Sequence, residues 1–278
     1  MFWVSCLALA LLATGAFAMH RQRWVRQVRG KTWRHLLADR AKGRVEATIP
    51  PALPEPVRRY FERMLPAHGR LPAVTRIRQH GTLRSSCSST RWLDFTADQV
   101  IAARSTEFQW LARVAVGAGL SFDVCDRLVA NEAGSEVRLC SLFVLGADRG
   151  SRELTEASLQ RFLAEAIWSP AALLPAAGVS WQAIEERSAL ATLACGATRV
   201  SLQFRFNAEG EATDVYAPAR WMRERGRYRA VAWEGRYFDY AWRDGIRVPL
   251  RAEVGWYVDE AWCPVWKGRI DRIEQLPA

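Results

Sequence analysis

The sequence predicts an α+β fold: a curved, largely antiparallel β-sheet forming a half-open barrel, with a covering helix at about 153–168. An amino-terminal membrane helix and a basic stalk precede it. Three observations carry this reading. Period-two alternation recurs through most of the chain from about Val74. A single amphipathic helical stretch interrupts it. Residues 1–19 hold no charged side chain, and the segment directly after them is strongly basic. Alternation of apolar and polar residues describes antiparallel strands with one face packed and the other wet.

The uncharged run Met1 to Met19 covers roughly 28 Å as a helix, close to the ~30 Å hydrocarbon core of a bilayer. Ala16 and Ala18 flank Phe17 in the small-x-small pattern cut by signal peptidase. No Lys or Arg precedes the run, however, and Arg21, Arg23, Arg26, Arg29, Lys31 and Arg34 follow it directly. That order favours an uncleaved anchor over a cleaved signal, with positive charge resisting translocation. Trp24, Val28, Leu36 and Leu37 interleave with the cations at roughly helical spacing, as a helix lying on an anionic membrane surface requires. The expected address is the bacterial inner membrane, with a single-pass anchor at 1–19 and a basic helix and Pro-rich linker over 20–53. One β-rich domain over 54–278 follows, on the cytoplasmic side by the positive-inside rule, with the opposite side left open. The expected partner at this end of the chain is membrane lipid.

The net charge of +10 would suggest nucleic acid if it were spread over the chain. It is not. Residues 20–44 contain nine Lys or Arg and one acid, which leaves 30 basic against 28 acidic side chains over 45–278. The domain has no charge excess with which to hold a phosphate backbone, and nucleic acid is excluded as a partner. An apolar fraction of 50% with 24% charged residues excludes wholesale disorder. Beyond Cys6 the cysteines are Cys87, Cys125, Cys140, Cys195 and Cys263, odd in number and without paired spacing. This favours a reducing compartment, although neighbouring strands could still oppose two of them.

Pro50, Pro51, Pro54 and Pro56 separate the stalk from the domain, and a short helix follows over 55–65 with Val57, Tyr60, Phe61 and Met64 on one side. The clearest strand is 198–206, where Val200, Leu202, Phe204 and Phe206 face one way and Arg199, Ser201, Gln203 and Arg205 the other. Asn207 to Gly210 then turns the chain back through 212–216. Residues 246–258 alternate equally well after an Asp244-Gly245 turn. Weaker strands lie at 74–84, 90–95, 106–116, 120–130, 135–145, 179–187, 189–195, 227–242 and 262–274. The interrupting helix is capped by Ser151 and stopped by Pro170, and Leu159, Phe162, Leu163, Ala166 and Ile167 form its main stripe. Trp168 plots opposite that stripe with Glu165 beside it, so the helix is expected to be covered on two sides.

The sequence carries little recognisable catalytic chemistry. The four histidines have no metal-ligand spacing and no CxxC occurs, so no metal is expected. Nucleophile-elbow and phosphate-loop glycine motifs are missing, and no cofactor is expected. Asp126, Glu165 and Asp239 are the candidate carboxylates for acid–base work. Asp126 shares a face with Phe122, Val124 and Leu128, and Asp239 lies between Phe238 and Tyr240. Their plainer role is an ion pair with one of the 36 arginines. Tryptophan stands out: there are 13, six of them within 221–278. Trp168, Phe238, Tyr240 and Trp242 are the candidate lining of an apolar ligand pocket.

Several stretches, taken in order, carry a resemblance. They are WLDFTADQ at 92–99, AEAIWSP at 164–170 running into ALLP at 172–175, VSW at 179–181, and the hairpin 200–210. FDY at 238–240 then leads to IRVP at 246–249. Over about 54–278 the chain resembles a bacterial family of unknown function that usually carries an amino-terminal membrane segment. More distantly, the layout is similar to the bacterial lipoprotein-carrier fold, a half-open barrel lidded by helices. That similarity implies an apolar cavity for acyl chains. The resulting expectation is a membrane-anchored, noncatalytic protein that binds a lipid or another apolar small molecule. An enzyme using the buried carboxylates, or a membrane-associated scaffold, is the alternative.

Overall fold

A computed structural model describes residues 19, 23–28, 30, 32–38, 45–46, 48–66, 70–71, 73–224 and 226–276. The apolar run 1–18 and three of the six proposed membrane-surface cations, Arg21, Arg29 and Lys31, lie outside them. No helix among the described residues is long and apolar enough to cross a membrane.

After a two-residue pair, β1 (Val45–Glu46) with β2 (Arg70–Leu71), the strands form one antiparallel sheet of 13. Its first half is a meander of β3 (Val74–Leu83), β4 (Leu93–Ala102), β5 (Glu107–Gly117), β6 (Leu120–Val129), β7 (Glu132–Leu139) and β8 (Phe143–Arg149). The second half comprises β9 (Val179–Glu185), β10 (Ser188–Cys195), β11 (Thr198–Phe206), β12 (Ala212–Glu224), β13 (Arg227–Arg243), β14 (Ile246–Val258) and β15 (Ala261–Leu276). The halves join where β15 pairs with β3, so β8 and β9 are the two free edges of an open sheet. At that seam Gly81 faces Gly268. A Cβ on Gly81 would fall 2.0 Å from the Lys267 carbonyl oxygen, so only glycine permits so close a crossing.

Two helices occupy the concave side. α1 (Glu55–Met64) starts with Pro56 in its first turn and buries Val57, Tyr60, Phe61 and Met64, its ring Tyr60 packing near Phe206. α2 (Arg152–Glu165) is capped by Ser151, whose Oγ accepts from the Leu154 amide. It carries the chain from the β8 edge to the β9 edge and so spans the mouth of the half-barrel, packing on β6, β7, β10, β11 and β12. Leu159, Phe162, Leu163, Ala166 and Ile167 are all buried, as their stripe predicts. The helix ends earlier than expected. Three short 3₁₀ turns follow it, at 166–168, 170–173 and 175–177, so Trp168 no longer obeys the 100° plot and turns into the core.

Three expectations need correction. The single strand at 135–145 is two strands, with Cys140 and Ser141 both at positive φ in the turn between them. Neither is one of the Gly, Asn or Asp residues that favour positive φ in a tight hairpin. The apolar positions of the basic segment, helical at 23–28 and 32–38, are covered by protein rather than lipid. Trp24 packs on Leu111 and Cys125, and Leu36 on Ala73, Val74, Val100 and Ala102 of the outer sheet face. Arg23, Arg26 and Arg34 remain exposed. Finally, Cys87 and Cys263 are joined in a disulfide, while Cys125, Cys140 and Cys195 are free. Their 176-residue separation hides the pair in the sequence, and the β3–β15 pairing brings it together.

Candidate functional site

A cleft of about 230 Å³ lies between the end of α2 and the concave sheet. Its apolar walls are Trp110 of β5, Trp168, Trp233 and Tyr237 of β13, and Trp266 of β15. They reach it because inward positions alternate along each strand. Trp168 is pinned, its indole N–H donating to the Pro249 carbonyl at 2.9 Å and its ring meeting Tyr237 edge-on at 6.3 Å. The Tyr237 hydroxyl donates in turn to the Ala164 carbonyl, and burial holds its pKa well above the usual tyrosine value. Trp266 stacks on Phe95 at 5.5 Å. A second hollow of about 230 Å³ adjoins the first, sharing Asp126, Arg161 and Arg220.

The floor of the cleft is polar. Arg161 of α2 donates from Nη1 to Asp126 Oδ2 at 2.7 Å and from Nε to Glu165 Oε1 at 2.8 Å. The other Asp126 oxygen accepts from Ser135 Oγ at 2.7 Å, and the other Glu165 oxygen from Gln99 Nε2 at 2.5 Å. Gln99 accepts in turn from Gln79. A chain of hydrogen bonds thus runs from β3 through β4 and α2 to β6 and β7. Burial opposes the charge on Arg161, but the two carboxylates and their hydrogen bonds outweigh it and raise its pKa above the ordinary value.

Arg220 sits differently. β12 and β13 slip by one residue between Ala217 and Arg220, with the exposed Pro218 and Ala219 bulging out. Plain alternation from Val215 and Ala217 would send Arg220 outward, but the bulge turns it in, opposite Val231. Its guanidinium lies 4.9 Å from the Trp233 ring and 5.3 Å from Trp256, and Nη2 donates to the Ala157 carbonyl at 3.2 Å. Burial, then repulsion from Arg161, lowers its pKa to about 10, with Glu165 and Asp126 offsetting part of the shift.

Of the residues singled out from sequence, Trp168, Asp126 and Glu165 therefore meet in one cleft. The other four do not. Asp239 adopts φ 59°, which breaks the alternation of β13. Tyr240 consequently packs in the core, with its hydroxyl on the Ala212 carbonyl, away from the cleft. Phe238 lies under the Arg251 guanidinium at 4.0 Å, Asp239 pairs with Arg251 at 3.2 Å, and Trp242 is 52% exposed. All four oxygens of Asp126 and Glu165 are engaged by Arg161, Ser135 and Gln99, which suits holding the helix to the sheet better than exchanging protons with a substrate. Among the described residues, no group of three His, Cys, Asp or Glu is placed to hold a metal ion.

Sequence reasoning missed Arg161, Arg220, Trp110, Trp233, Tyr237 and Trp266. A signal existed for Arg161, four residues before Glu165 on one helix face. None existed for Arg220, whose direction depends on the bulge.

No curated protein matches the chain. Among solved structures, the chain is similar to a LolA superfamily protein from Nitrosomonas europaea at 8% identity and a TM-score of 0.41, covering 82% of this chain and 95% of that one. A family model matches residues 43–268, most of the chain, and places the protein in the family of unknown function DUF6544.

Proposed function

We propose that this protein holds an apolar or amphiphilic chain in the cleft between α2 and the sheet, and does so at a membrane. The observation that carries the reading is the cleft itself, about 230 Å³ walled by Trp110, Trp168, Trp233 and Trp266. Engineered apolar cavities of about 150 Å³ already take up benzene, so this space suits a stretch of alkyl chain. An apolar group fills such a space without the desolvation cost that a polar one meets.

Two features support the membrane location. One is the uncharged run at 1–19 with basic residues after it. The other is an apolar tip: Leu120 in the β5–β6 turn and Leu142, Phe143, Val144 and Leu145 around the β7–β8 turn are all exposed. The register places both turns at one end of the sheet. Trp24 touches Leu111 and Cys125 midway along the strands, and Leu36 touches Ala102 at the end away from that tip. Leucine and phenylalanine in such a cluster suit insertion among lipid headgroups.

Displacement of a fluorescent acyl probe by decanol tests the cleft. The probe is expected to bind the wild type and to be displaced by decanol, and to bind Ala252→Phe weakly or not at all, because that side chain fills the space from β14. Lack of probe binding in a folded wild type would overturn the reading.

A further inference from the structure

We infer that Arg220 is an anion subsite, and that the ligand is a single-chain amphiphile whose acidic head, a carboxylate or phosphate, pairs with this guanidinium while its tail lies along the tryptophans. The inference rests on the cleft being a ligand site and adds the chemistry of the head group.

The charged groups of the cleft are unequal. Arg161, Asp126 and Glu165 satisfy one another, with Ser135 and Gln99 completing the carboxylates. Arg220 has no carboxylate within ion-pair distance among the described residues. Its one hydrogen bond goes to the Ala157 carbonyl, and its Nε is enclosed without any partner. An Arg carries five N–H donors in a planar fork that matches a carboxylate or phosphate edge. Here most of that fork is unused beside an open space.

Burial and then repulsion from Arg161 act against the charge on Arg220, with Glu165 and Asp126 each offsetting part of the effect. An anion beside Arg220 would relieve both the lost hydration and that repulsion. The Trp233 and Trp256 rings, 4.9 and 5.3 Å away, confine the guanidinium, so little side-chain freedom remains to be lost on binding. The bulge at Pro218 and Ala219 is the device that delivers this cation to the inner face, and Pro218 lacks the N–H that regular pairing would need. Because Arg220 lines both adjoining hollows, a head group there leaves the tail free to enter the tryptophan-walled one.

Calorimetric titration of the full-length protein in mild detergent with decanoate, decyl phosphate and decanol tests this. The wild type is expected to bind both acidic probes roughly tenfold or more tighter than decanol, the equivalent of one charge-assisted hydrogen bond. A preference confined to one of the two names the head group. Arg220→Gln should bind all three as the wild type binds decanol. Arg220→Lys, which keeps the charge but loses the fork, should retain a smaller preference. Equal wild-type affinity for all three would overturn the subsite while leaving the cleft standing. A preference that survives Arg220→Gln would move the anion elsewhere and equally overturn it. Failure of every probe, decanol included, would remove the cleft reading and this inference with it. If Arg220→Gln does not fold, the wild-type comparison and Arg220→Lys decide, and loss of all preference in the wild type is the disproof.

Discussion

Arg161 of α2 reaches across the concave face to Asp126 of β6, 2.7 Å between Nη1 and Oδ2, and fastens the mouth-spanning helix to the first half of the sheet. The same guanidinium lies 4.9 Å from the Trp110 ring and 5.3 Å from Phe108. It is therefore held by charge on its edge and by aromatic faces below. The second half of the barrel holds the helix by apolar packing together with hydrogen bonds from Arg220 to the Ala157 carbonyl, from Gln160 to the Ala219 carbonyl and from Trp221 to Glu156.

Removing the guanidinium leaves two carboxylates facing each other over a cleft only partly open to water. Arg161→Met should destabilise the fold by about 2–4 kcal/mol, somewhat less than a fully buried pair would cost. Urea unfolding monitored by tryptophan emission measures it. Stability within about 0.5 kcal/mol of wild type would show that the polar chain contributes little.

Leu163 is fully buried in the seam between α2 and the sheet. A carboxylate placed there has no partner and little water, so Leu163→Asp should cost roughly 3–5 kcal/mol and lower the melting temperature accordingly. An unchanged melting temperature would mean that the helix does not pack where it is described.

Trp168 and Trp242 should respond in opposite ways. Trp168 is buried and hydrogen-bonded, so Trp168→Ala should cost about 3–5 kcal/mol as well as altering acyl-probe affinity. Trp242 is largely exposed, and Trp242→Ala should stay within about 0.5 kcal/mol of wild type with probe affinity unchanged. Parallel denaturation and probe titration compare the two, and weaker probe binding in Trp242→Ala would return that residue to the site.

The Cys87–Cys263 bond closes a loop of 176 residues, and replacing both cysteines by serine should cost roughly 2–4 kcal/mol. Disulfides persist in oxidising compartments, whereas the basic segment after the apolar run favours cytoplasmic retention. The state of Cys87 and Cys263 in protein taken from the cell distinguishes the two. Protein taken directly into alkylating reagent should carry three modified cysteines at most among the five beyond Cys6, with Cys87 and Cys263 protected until reduction. Ready alkylation of both would instead put the domain on the reducing side.

What the sequence determined by itself is everything set by short-range periodicity. Alternation from Val200 to Phe206 and from Ile246 to Val258 specified inward and outward faces, because the strand period of two is a local property of the backbone. The stripe Leu159, Phe162, Leu163 and Ile167 specified which side of α2 is buried, and Ser151 marked where it begins. Local pattern failed wherever the backbone left its period. Cys140 and Ser141 turned a strand into a hairpin, Asp239 redirected the side chains around it, and the bulge at Pro218 and Ala219 aimed Arg220 inward. These conformations hold because surrounding pairings over-determine them. The contacts that make the cleft also join residues far apart in the chain, Trp168 to Pro249, Arg161 to Asp126 and Glu165 to Gln99. Only closure of the meander, with β15 against β3 and α2 across the mouth, could bring them together, since partner choice over such separations depends on topology rather than on local preference.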